Sequence, residues 1–115
     1  MAKLERQLWG DFDRILSVIQ QGILEGSMSA TLEGASDFLD ANARCSVRVF
    51  ERYSYMGGNR LSMTVTLFQS AGGPVQLSAI TAGGSQAMFF KINTFGEEAF
   101  LDRLRELLDG GDCPP

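Results

Sequence analysis

Five apolar side chains near the start of the chain recur at i, i+3, i+4, i+7 and i+11, which predicts an amphipathic helix of about four turns. They are Phe12, Ile15, Leu16, Ile19 and Ile23. Gly10 and Asp11 are suitable residues for the start of this helix, and Gly26 is suitable just after its end. Residues 3–9, which precede the helix, are predicted to form an opening strand.

After this helix the hydrophobic period changes to two. Residues 28–33 alternate apolar and polar side chains, which is typical of a strand with one solvated face, and residues 34–43 are predicted to be a loop. Residues 44–55 give the clearest strand, with Phe50 as an exception on its polar side. The apolar side carries Cys45, Val47 and Val49. We expect this valine side to face the core.

Two glycine-rich turns separate the next strands. Residues 56–59 and 71–74 contain residues that accept positive φ, and each follows a run of alternating side chains. The strands predicted on either side of the second turn cover residues 61–69 and 75–82. The sequence therefore predicts an antiparallel meander of three strands.

The last third of the chain predicts a second helix. Residues 83–85 interrupt the preceding strand, and residues 87–92 are interpreted as one more short strand or an extended connection. Thr94 and Glu97 have the spacing of a capping box, which places the start of the helix at Thr94. Residues 110–115 are predicted to be a flexible tail.

These elements predict an α+β fold in which an antiparallel sheet of four to six strands carries two helices on one face. The predicted order is β-α-β-β-β-β-α, in a single domain over residues 1–115. The expected core residues are Ile15, Ile19, Val47, Val49, Met63, Val65, Leu77, Phe100 and Leu104. The other face of the sheet is expected to be solvated or available to a partner.

Composition removes several classes of function. The 115 residues include no histidine, so the commonest general base near neutral pH and histidine-ligated metal sites are absent. The formal net charge is −4, and the acidic excess lies in residues 96–115. Because no basic field is available for phosphate contacts, we expect no general nucleic-acid binding.

The two cysteines and the lack of long apolar runs suggest where the protein is found. Cys45 and Cys113 are far apart, and the chain begins without a secretion signal, so we expect a reduced, cytoplasmic protein that does not enter membranes. Cys45 is expected to be buried and inert, whereas Cys113 is expected to be exposed. The sequence predicts no cofactor, no metal site and no catalytic residue.

Three blocks of sequence carry a resemblance to a known family. GDFDRIL at residues 10–16, RCSVRVFERYSYMGGNR at residues 44–60 and SAITAGGSQAMFFKINTFGEEAFL at residues 78–101 resemble a family of small bacterial proteins classed as a domain of unknown function. The likeness spans nearly the whole chain and implies no particular ligand or partner. The order of elements is also similar to that of helix-grip proteins, which hold lipids between sheet and helix.

Arginines on the predicted strand 44–55 are candidate ligand residues. Arg44, Arg48 and Arg52 share one strand face, with neighbours about 13 Å apart at the usual rise per residue. This spacing is too sparse for a phosphate clamp unless Arg60 or Lys91 converges on it. A solvated face is favoured over a surface for an anionic ligand or a partner.

Two further features lie near residue 85. Gly83, Gly84, Ser85 and Gln86 could present backbone N–H groups to an anion, although a tight turn is the favoured use of these glycines. In an extended segment, Phe89 points away from Phe90, so a one-sided sheet cannot bury both rings. We therefore expect Phe89 to contribute to a homodimer interface.

Three classes of function follow, in order of preference. The first is a non-enzymatic interaction module that self-associates, supported by Phe89 and by a free sheet face rich in serine and threonine. The second is a protein that binds a small apolar or anionic ligand in a pocket between sheet and helices. The third is an enzyme of unrecognised type, for which a cleft with strongly shifted ionisation would be the distinguishing observation.

Overall fold

A computed structural model describes residues 2–54, 59–83 and 90–109, and in residues 90–96 it describes the helical backbone. These residues form five strands and two helices in the predicted order. Their bounds are β1 Ala2–Leu8, α1 Phe12–Glu25, β2 Thr31–Leu39, β3 Ala43–Ser54, β4 Asn59–Ser70, β5 Val75–Gly83 and α2 Phe90–Asp109. The predicted α+β class is confirmed.

All five strands belong to one antiparallel sheet with the order β1-β5-β4-β3-β2. β4 is the central strand, and β1 and β2 are the edges. The predicted meander is confirmed as β3, β4 and β5. Its second turn depends on Gly72, which has a φ of +78°, and on the Gly73 N–H, which donates to the Ser70 carbonyl oxygen at 3.0 Å.

Both helices pack on one face of the sheet, as the alternation predicts. Asp11 caps α1 by accepting a hydrogen bond from the Arg14 N–H at 2.9 Å, and the predicted apolar stripe turns inward. Ile15, Ile19, Met63, Val65, Leu77, Phe100 and Leu104 are buried, as predicted. Val47 and Val49 are not, because the strand that carries them faces the other way.

The orientation of β3 reverses our expectation. Phe50 is fully buried opposite Met63, and Arg44, Ser46 and Arg48 share its side of the strand. Side chains alternate strictly along a strand, so burying Phe50 turns the whole row of arginines toward the helices. Cys45, Val47 and Val49 consequently point away from the helices. The single large ring outweighs the smaller residues on the opposite side.

The predicted loop at residues 34–43 is wrong, because β2 runs from Thr31 to Leu39 as an edge strand paired with β3. The register shifts between Leu32 and Gly34, which marks a bulge. Nearly all of β2 is exposed, so no inward-facing apolar row is needed there. This explains why residues 34–39 lack the usual hydrophobic signature of a strand.

The predicted capping box is also wrong. α2 begins at Phe90, so Thr94 lies inside the helix, and residues 90–92 are helical rather than extended. Glu97 is buried with 4% of its surface exposed, in the same helical stripe as Phe100. A capping glutamate would instead lie in a solvated first turn.

Candidate functional site

The β3 arginines contact the helices and do not form an open ligand site. Arg44 lies over the Phe12 ring at 4.0 Å and pairs with Asp13 at 2.8 Å, both at the start of α1. Arg52 lies over the Phe100 ring of α2 at 4.6 Å. The long apolar stems of arginine allow this row to pass beneath the helices while the charged groups reach partners.

Arg48 is largely enclosed, with 11% of its side chain exposed against 35% for Arg44. Its guanidinium donates to the Gln20 side chain of α1 at 3.0 Å and pairs with Asp37 of β2 at 3.1 Å. Hydrogen bonds from the Ser46 hydroxyl, which has the larger effect, and from Arg48 hold the pKa of Asp37 below its ordinary value. Arg48 therefore connects β2, β3 and α1.

Arg60 lies on the opposite face of the sheet and does not converge with Arg48 or Arg52. It pairs with Glu51 at 2.9 Å and lies over the Tyr53 ring at 5.2 Å. The hydrogen bond to Glu51 raises the pKa of Arg60 above its ordinary value. Arg60 therefore does not supply the convergence that a phosphate clamp on the β3 arginines would need.

The candidate anion nest, for which a tight turn was the favoured alternative, and the aromatic pair fall largely outside the described residues. Gly83 ends β5 with a φ of +116°, and a Cβ there would lie 3.1 Å from the Arg60 carbonyl oxygen, so glycine is required. Gly84, Ser85, Gln86 and Phe89 lie outside the described residues. Lys91 lies in the first turn of α2.

The sheet face that points away from the helices has an uncharged centre, which we call the open face. Its three inner strands contribute nine aligned positions, and none of these carries a charge. The positions are Cys45, Val47 and Val49 of β3, Thr64, Thr66 and Phe68 of β4, and Gln76, Ser78 and Ile80 of β5. Phe68 is 40% exposed and Ile80 is 39% exposed.

Charged side chains border this centre on one side and at one end. Lys3 and Glu5 of β1 flank one side and lie 3.7 Å apart, and the Glu51–Arg60 pair lies at one end. Phe38 of β2, which is 62% exposed, extends the apolar area at the other end. An uncharged centre with a charged rim is the usual composition of a protein–protein interface.

Phe68 stands between two hollows in the open face. One has a volume of about 190 Å³ and is lined in part by Phe38, Cys45 and Phe68. The other has a volume of about 420 Å³ and is lined in part by Thr66, Phe68 and Gln76. Neither lies between sheet and helices, where the similarity to helix-grip proteins placed a ligand pocket.

The described residues lack two features that would point to a function. No group of three or more Cys, Asp or Glu side chains in these ranges could hold a metal ion. In the same part of the chain, no helix is long and apolar enough to span a membrane.

A model of one protein family matches residues 1–111. The chain belongs to DUF6054, a family of unknown function. The resemblance drawn from the three sequence blocks is thereby confirmed at the level of an uncharacterised domain. No curated protein and no solved structure matches this DUF6054 chain. The open face is therefore interpreted from its own residues.

The alternation of side chains in this DUF6054 chain predicts only part of the open face correctly. The alternation of β4 and β5 correctly places Thr64, Thr66 and Ser78 on the uncovered side. The alternation of β3 assigns Val47 and Val49 to the core, and so misses two of the apolar residues of the open face. The signal that could have found them is Phe50, the one large ring on the arginine side.

Proposed function

We propose that this chain is a non-enzymatic interaction module that self-associates through its open face. The orientation of β3 carries the proposal. This strand places its arginines beneath the helices and turns Val47 and Val49 outward beside Phe68 and Ile80. If water were the permanent neighbour of this face, charged residues would be expected on it, since a solvated surface is roughly one-quarter to one-third charged.

The area of the open face supports a stable contact. Five strands about 4.8 Å apart, with about eight paired residues at 3.3 Å each, give a projected area on the order of 600 Å². The pleated surface adds to this value. Specific interfaces bury about 800 Å² on each partner, so the whole face has the size that a dimer needs.

The two sheet edges are less suitable for pairing than the open face. β2 carries a bulge between Leu32 and Gly34, and its Asp37 points toward the helix side. β1 carries Lys3, Glu5 and Arg6. Bulges and charges are the features by which proteins prevent edge-to-edge pairing. Association is therefore expected through the face.

A second copy of the chain is the partner that the charge pattern favours. Two uncharged centres can meet without repulsion. Lys3 and Glu5 beside the centre carry charges of opposite sign, so the rim of one copy is not repelled as a whole by the rim of the other. Burying Phe68, Ile80 and their neighbours in both copies removes apolar surface from water, which is the main driving force for association.

Sedimentation equilibrium tests this proposal with Thr64→Lys. Thr64 lies between Val49 and Ile80 at the centre of the open face, so a lysine in each copy would place two like charges in the contact. We expect a dimer for the wild type at high micromolar concentration and a monomer for Thr64→Lys. Gln21→Lys, on the exposed side of α1, should remain dimeric.

Two results would contradict the proposal. One is a wild-type protein that stays monomeric throughout the concentration range. The other is a Thr64→Lys variant that is folded by circular dichroism and dimerises as strongly as the Gln21→Lys control.

A further inference from the structure

We infer that the two copies pack face to face about a two-fold axis that runs along β4, so that each β3 lies over the other copy's β5. This inference rests on the proposed self-association and adds its geometry. β4 is the central strand of the sheet, with two strands on either side of it. An axis along β4 therefore brings the largest area into contact.

The register of the sheet defines which residues would meet. Val49, Thr64 and Ile80 lie in one row across β3, β4 and β5. A two-fold axis along β4 places β3 of one copy over β5 of the other. It leaves each residue's position along the strand direction unchanged, so residues of the same row still meet. Val49 of each copy then packs against Ile80 of the other, and Thr64 meets its own counterpart.

A second row places aromatic rings at the axis. Phe38, Cys45, Phe68 and Gln76 lie at one level across β2, β3, β4 and β5. Phe68 of one copy then meets Phe68 of the other, and Cys45 lies opposite Gln76. The hollows on either side of Phe68 leave room for the two rings to lie offset, which is a favoured aromatic geometry.

The other face-to-face arrangement, with the axis across the strands, fits the surface less well. It reverses the strand ends, so that Cys45 and Phe68 would lie against the end that carries Glu51 and Ser62. The Glu51 carboxylate would then be buried against apolar groups, which is costly for a charge. With the axis along β4, Glu51 lies over Ala82 of the other copy, but Arg60 of both copies meets at the axis beside it, so each Glu51 carboxylate keeps guanidinium groups as neighbours.

Disulfide trapping between Cys45 and a new cysteine at residue 76 distinguishes the two arrangements. Within one chain, residues 45 and 76 are two strands apart, or about 9.6 Å, which is beyond the reach of a disulfide. Between face-to-face sheets a disulfide is feasible, as in immunoglobulin domains. All variants carry Cys113→Ser, so that Cys45 is the only native thiol.

Gln76→Cys places a thiol opposite Cys45 of the other copy if the axis runs along β4. Glu51→Cys does the same if the axis runs across the strands. Under mild oxidation at a concentration where sedimentation reports dimers, we expect most of Gln76→Cys to migrate as a linked dimer on a non-reducing gel. Glu51→Cys should stay unlinked. Gln76→Cys combined with Cys45→Ser should also stay unlinked, because the two copies of residue 76 lie on opposite sides of the axis.

Sedimentation and trapping together separate failure of the geometry from failure of the proposed function. Dimers that link through Glu51→Cys, or through neither variant, would overturn the axis along β4 while leaving self-association intact. Chains that sediment as monomers and show no linking would overturn both. Linking of Gln76→Cys that is equally strong far below the dimer range would indicate random collision and would also overturn the inference.

Discussion

Arg44, Arg48 and Arg52 show how a row of charges can lie between a sheet and its helices. Asp13 and Asp37 neutralise the first two, and the rings of Phe12 and Phe100 lie against the first and the third. Arg44 also holds the pKa of Asp13 below its ordinary value. Each guanidinium thus retains polar or aromatic contacts, so burying the stems of these arginines does not leave isolated charges.

Replacing Arg48 by methionine tests this structural role. Arg48→Met retains much of the apolar stem but removes the hydrogen bonds to Gln20 and the ion pair with Asp37. We expect a loss of about 1–3 kcal/mol in the free energy of unfolding, because several polar partners lose their donor. Urea denaturation measures this loss.

Arg14→Met is the control, since Arg14 lies on the exposed side of α1. Its effect should stay within about 0.5 kcal/mol, as is usual for surface positions. Equal stability of the two variants would show that Arg48 is a solvated residue, as the alternation of β3 had suggested.

Among the elements, the contact between α1 and α2 depends on two glycines one helical turn apart. A Cβ on Gly22 would collide with the Leu107 side chain of α2, and a Cβ on Gly26 would collide with Arg103. The Arg103 guanidinium donates to the Gly22 carbonyl oxygen at 3.2 Å, near the C-terminal end of α1. A positive charge at this end also suits the helix dipole.

Gly22→Val is expected to destabilise the protein by about 1–3 kcal/mol through overpacking against Leu107. Thermal or urea unfolding measures the effect. Gln21→Val places the same residue at the adjacent exposed position of α1, away from α2. Valine is a better helix former than the glycine it replaces at residue 22, so a loss in Gly22→Val beyond that of Gln21→Val comes from packing. If both variants lose the same stability, close approach of the helices at Gly22 is refuted.

On the scale of the whole molecule, the two helices pack on one side of the sheet, and no described helix packs on the other. The alternation of β4 and β5, the stripe of α1 and the glycine-rich turn at residues 71–74 made this layer arrangement predictable from the sequence. The orientation of β3 was not predictable from alternation alone, because both of its sides carry residues that a core can accept. Phe50 decided it through packing with Met63.

The open face was only partly predictable for the same reason. Local pattern placed the serines and threonines of β4 and β5 on the uncovered side, but the register that aligns Val49, Thr64 and Ile80 depends on pairing across three strands. The strand predicted at residues 28–33 overlaps only the start of edge strand β2, and the rest of β2 was missed because exposed strands need no apolar side. The sequence therefore indicated a free face without showing which apolar residues of β3 lie on it.

The rate at which a thiol reagent modifies Cys45 tests the central claim most directly, since this residue lies on the open face and is half-buried in the single chain. In a Cys113→Ser protein with an otherwise native surface, we expect modification to slow markedly as the concentration rises through the dimer range. Thr64→Lys should abolish this protection. A rate that stays the same from low to high micromolar concentration would contradict self-association through the open face.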